Sequence, residues 1–76
     1  MKALTLITTE PGKLDAVAKA IRGIKSGITD VLIVTGRADI AVFIEGSIKD
    51  VNNTIMRIGK INNVVTTETM FEIEMS

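Results

Sequence analysis

Two short polar clusters interrupt an otherwise aliphatic chain: Val34-Thr35-Gly36-Arg37-Ala38-Asp39 and, further on, Thr67-Glu68-Thr69. A glycine turn can aim successive backbone N–H groups at an anion, and a carboxylate beside it can accept from an ammonium. The two together suit a small zwitterion. Thr67 and Thr69, two apart on an extended segment, share one face and offer hydroxyls that donate or accept. The chain has no His, Cys, Tyr or Trp. Zinc and haem ligation therefore lack their usual ligands, no disulfide framework exists, and Asp39 has no paired acid or base for catalysis. No cofactor, metal or catalytic residue is expected.

Each of these residues also has a quieter explanation. Gly36 can be a hairpin residue with positive φ. Asp39 can cap the turn. Thr67 and Thr69 can be ordinary strand formers, and Arg37 can orient a carboxylate or simply face solvent.

The elements that must position these clusters follow from periodicity. Ala3 to Thr9 is β-branched and short, a strand ending at the Glu10-Pro11-Gly12 punctuation. Pro11 suits the first turn of a helix, along which Leu14, Val17, Ala18 and Ile21 recur at helical spacing before it stops near Gly23 to Gly27. A second strand is predicted from about Thr29 to Thr35 and a third from about Asp39 to Glu45, joined as a hairpin by Gly36-Arg37-Ala38. Ser47 with Asp50 resembles a capping box, opening a helix whose buried stripe is Ile48, Val51, Ile55 and Ile58. Alternation from Val64 to Met75 predicts a last strand with a polar face in its second half, where Glu72 and Glu74 fall. Gly27 and Asn63 each precede a strand and tolerate the left-handed conformation that ends helices.

The order βαββαβ, with right-handed crossovers, predicts an α+β ferredoxin-like sandwich: a four-stranded antiparallel sheet, order 4-1-3-2, with two helices on one face. At 76 residues it is one small domain, residues 1–76, whose core is marginal alone. Lys and Arg equal Asp and Glu in number, 9 each, so nothing electrostatic draws the chain to nucleic acid or an anionic membrane. Apolar runs are too short to cross a bilayer and nothing resembles a signal peptide, so a cytoplasmic location is expected. In Val31 to Val34 and Ile40 to Ile44 both alternate sets are apolar. The face without helices should therefore meet a partner, and self-association is expected.

With that order in place the chain resembles the ligand-binding (RAM) module of Lrp/AsnC transcriptional regulators. The resemblance spans the whole chain. It rests on Thr9-Glu10-Pro11-Gly12 before the first helix, Val34-Thr35-Gly36 with Asp39 at the hairpin, and Val64 followed by Thr67 and Thr69. The helix-turn-helix and linker of those regulators have no counterpart here, so a stand-alone module without a DNA-binding domain is expected. Arg37-Ala38 and Asn62-Asn63 depart from the family's usual residues. The resemblance implies a homodimer assembling into a higher oligomer, commonly an octamer, with an amino-acid effector between subunits. Thr35, Gly36, Arg37, Asp39, Thr67 and Thr69 would bind it, and full-length Lrp/AsnC regulators would be partners. In a 4-1-3-2 sheet the hairpin edge and last strand lie three gaps, about 14 Å, apart. Both clusters around one ligand would then come from different subunits. Two other classes fit the fold: a structural oligomerisation module with a degenerate pocket, and a small ferredoxin-like enzyme.

Overall fold

The computed structural model describes residues 1–75. Its elements are β1 (Lys2–Thr9), α1 (Leu14–Arg22), β2 (Ile28–Ile33), β3 (Ile40–Glu45), α2 (Ile48–Gly59) and β4 (Val64–Phe71). All neighbours in the sheet are antiparallel and the order is β2-β3-β1-β4. This is the expected ferredoxin-like βαββαβ topology.

One face of the sheet is sealed by the helices. Ile7, Ile40, Val42 and Ile44 are buried there against Val17, Ala18 and Ile21 of α1 and Val51 and Ile58 of α2. Alternation requires this, because Ala3↔Ile44, Thr5↔Val42 and Ile7↔Ile40 are opposed and so share a face. Among the described residues the one buried hydroxyl on that face, Thr5, is matched by Thr69 Oγ1 at 2.9 Å. In α2, Thr54 is buried as well; its hydroxyl donates to Ser26 O and Asp50 O.

Several local expectations change. Pro11 does not enter α1; it lies in a turn completed by Gly12, and the helix starts at Leu14 after Lys13, with no side-chain cap. Ser47 Oγ accepts from Asp50 N–H at 3.1 Å, which is half of a capping box. Ile48, the first residue of α2, is not in the buried stripe but 60% exposed; Thr54 takes a buried place instead. Gly27 and Asn63 do have positive φ, 79° and 74°. They open strands rather than cap helices, since α1 ends at Arg22 and α2 at Gly59. β4 ends at Phe71, so Glu72 and Glu74 lie beyond the strand rather than on its polar face.

The opposite face carries no helix. Register places Leu4 and Leu6 of β1, Ala41 and Phe43 of β3, Leu32 of β2 and Met70 of β4 together on it. Leu32, Phe43 and Met70 are exposed. An apolar sheet centre facing solvent is the feature anticipated from the doubly apolar strands.

Candidate functional site

The loop from Val34 to Asp39 is six residues long rather than a tight three-residue turn, closed at its base by Val34 N–H donating to Asp39 O at 3.0 Å. Gly36 sits at φ +111°, and a Cβ there would meet no atom within 4 Å, so conformation and not space selects glycine. Thr35 and Arg37 are exposed beside it, while Ala38 turns inward and is buried.

Asp39 is held more firmly than a turn cap. Its Oδ2 accepts from Thr9 N–H at 2.8 Å and from the Thr9 hydroxyl at 3.3 Å, and its own N–H donates to Ile7 O at 2.9 Å. The carboxylate therefore secures the end of β1, where the ladder slips between Thr8 and Thr9 and backbone donors lose their regular partners. Composition and periodicity do not single out Thr9 for this role. Its place beside the Glu10-Pro11-Gly12 breaker is the available clue.

Thr67 and Thr69 share a face, as expected, and it is the helix-covered one: they oppose Ile7 and Thr5. Thr69 is committed to Thr5, whereas Thr67 is exposed. Thr66, on the other face, pairs its hydroxyl with that of Thr8, and its N–H donates to Thr8 Oγ1 at 3.1 Å.

The sheet brings Asp39 and Thr67 to one level, since Ile7 accepts from Asp39 N–H and opposes Thr67. They stand on the two sides of β1, two strand spacings or about 10 Å apart. The three-gap separation applies to the β2 side of the loop and overstates the distance for Asp39. Three open clefts of about 400, 380 and 420 Å³ lie elsewhere, the first formed by residues including Lys2, Asp30, Phe43 and Glu45 at the far end of the sheet. None of the three is lined by Thr35, Gly36, Arg37, Asp39, Thr67 or Thr69. Among the described residues no group of His, Cys, Asp or Glu could hold a metal, and no helix is long and apolar enough to cross a membrane.

No protein-family model matches the chain, and neither does any curated protein. Solved structures do. TTHA0845 from Thermus thermophilus superposes with a TM-score of 0.88 at 21% identity, over 99% of this chain and 95% of that one. FFRP-DM1 superposes with a TM-score of 0.85 at 27% identity, over 95% of this chain and 97% of that one. AsnC from E. coli gives a TM-score of 0.85 at 16% identity, over 96% of this chain but 50% of AsnC. FFRP-DM1 and AsnC are Lrp/AsnC-family proteins, and the strand order, crossovers and helix placement found here give this chain an Lrp/AsnC-like fold.

Proposed function

We propose that this chain is a self-associating, effector-binding regulatory module that takes a free amino acid at the Gly36 loop, modulating transcription in association with full-length Lrp/AsnC regulators. The observation that carries this reading is the common level of Asp39 and Thr67 at the end of the sheet that also bears the loop. Both Thr9 bonds fall on Asp39 Oδ2, so Oδ1 is the atom offered to a ligand ammonium. The exposed backbone around Gly36 and the Arg37 guanidinium would receive the carboxylate. The apolar open face supports self-association, which would supply the walls that one copy lacks at this loop. Regulatory relatives in fold, together with the absence of a paired acid and base around Asp39, favour sensing over catalysis.

One observation favours a second reading, a structural oligomerisation module with a degenerate pocket. The Asp39 carboxylate and the Thr69 hydroxyl already have partners within the chain. A thermal-shift screen of the twenty amino acids at millimolar concentration separates the two readings. A ligand at 100 times its Kd stabilises by about 2.7 kcal/mol, which for a domain of this size raises Tm on the order of 10 °C. Thr67→Val should remove that response without lowering the ligand-free Tm. A flat response to all twenty amino acids would leave the structural reading.

A further inference from the structure

A net charge of zero conceals a separation that folding creates. On the helix side, Lys13, Lys19, Arg22 and Lys25 lie on α1 or within three residues of its ends, and α2 with its C-cap carries Lys49, Arg57 and Lys60. All of them are exposed, and the acids of these segments are Asp15 and Asp50. Residues 13–25 and 47–60 therefore carry a formal charge of +5, and the strands with the remaining loops carry −5. Composition predicts no attraction to polyanions; that holds for the sum and not for this surface.

Helix electrostatics account for part of this layer. Lys19, Arg22 and Arg57 lie in last turns, where a cation meets the negative end of the macrodipole. Lys13 and Lys49 do not: Lys13 is the N-cap of α1, with no side-chain cap bond, and Lys49 is the second residue of α2. Each is a cation at the positive end of a helix, where it costs stability. Charges kept there point to a partner outside the chain. On α2, Lys49, Asn53, Met56 and Lys60 recur at steps of four, three and four, so they form one exposed stripe. Eleven rises of 1.5 Å put its two lysines about 16 Å apart along the axis. Asn53, Met56, Arg57 and Lys60 also line the cleft of about 420 Å³ beside α2, together with Ser26, whose carbonyl accepts from the Thr54 hydroxyl. That bond packs the loop after α1 against α2 and joins the cations of both helices in one layer. Asp50 lines the cleft too, about two turns from Arg57.

We infer that the outer surface of the helix layer holds the phosphate backbone of duplex DNA, without reading its sequence. Two helices side by side make a broad surface, and the lysines at the two ends of the α2 stripe can reach phosphate rows on either side of a major groove about 12 Å wide. A single strand would need aromatic rings on which to stack its bases. Both phenylalanines, Phe43 and Phe71, belong to the sheet instead. A carboxylate-rich protein segment laid in the cleft would meet Asp50, whereas a duplex resting across the outward stripe need not enter the cleft. This surface uses none of the residues assigned to the amino-acid site, so the two proposals stand or fall separately.

Fluorescence anisotropy with a labelled DNA duplex of arbitrary sequence, followed from about 50 to about 200 mM salt, tests the contact. With four phosphates neutralised, log K should fall against log salt at a slope of about −3.6. Lys49→Ala and Lys60→Ala should each flatten that slope by about 0.9, and together should weaken binding at about 50 mM salt at least tenfold. Lys49 opposes the macrodipole and Lys60 complements it, so the double variant should keep its Tm. Lys2→Ala removes the same charge from the sheet side and should change neither slope nor affinity. An equal effect of Lys2→Ala and Lys49→Ala would make the attraction one of net charge and overturn the assignment to this surface. Poly-glutamate that displaces the duplex at equal or lower charge concentration would overturn it in favour of an acidic protein partner. No anisotropy change up to about 10⁻⁴ M protein at about 50 mM salt, the weak end of non-specific affinities, overturns the proposal outright.

Discussion

The two faces of the sheet are both apolar at their centres and have opposite fates. On one, Ile7, Ile40, Val42 and Ile44 are almost wholly removed from water by α1 and α2. On the other, Leu32, Phe43 and Met70 remain exposed around half-buried Leu4 and Leu6. The difference is a matter of crossovers: both helices return on the same side of the sheet, so a small βαββαβ domain can seal only one face from within its own chain. Stability should therefore reside in the sealed face, and association in the open one.

Substitutions can break that contrast. The largest effect is expected at Ile40→Ala on the sealed face, where a large-to-small change in a closed core costs about 2–5 kcal/mol, measurable by urea unfolding. Next is Asp39→Ala. Removing the carboxylate leaves the half-buried Thr9 N–H without its acceptor at a cost of about 1–3 kcal/mol. Hydrogen exchange should then show faster opening at the end of β1, and that loss would appear without any ligand present. Gly27→Ala should cost about 1–2 kcal/mol for the left-handed backbone alone. The added Cβ would also stand 2.9 Å from Glu45 O, against the bond Glu45 N–H makes to Gly27 O. The smallest effect on unfolding belongs to Phe43→Ser on the open face, about 1 kcal/mol when measured at concentrations where the chain is monomeric, because the residue is already 39% exposed in one copy. At higher concentration the same variant should shift the sedimentation profile toward monomer. A large monomer-state loss there would mean that the open face belongs to the core.

Much of the fold is legible from local pattern. Alternation in β1 and β3, the 3.6-residue stripe Leu14-Val17-Ala18-Ile21 and the single Ser47 cap each reflect interactions within a few residues, so sequence order carries them. The departures share a cause. Pro11, Ile48, Glu72 and Glu74 all lie at element ends, where the neighbouring layer and not the local period decides whether a turn continues. Thr54 escapes local pattern because a buried threonine in a helix needs acceptors, and one of those, Ser26 O, comes from a distant loop.

For the candidate site the division is sharper. Residue types and spacing alone determined that a glycine needing positive φ, a nearby carboxylate and two same-face threonines exist, because these are properties of single residues and of a two-residue period. Tertiary structure alone decided what they touch. The Asp39 carboxylate meets Thr9 and the Thr69 hydroxyl meets Thr5. Such contacts cross strands that are far apart in the chain, and hydrogen-bond geometry within about 3 Å is set by register, which no local pattern encodes.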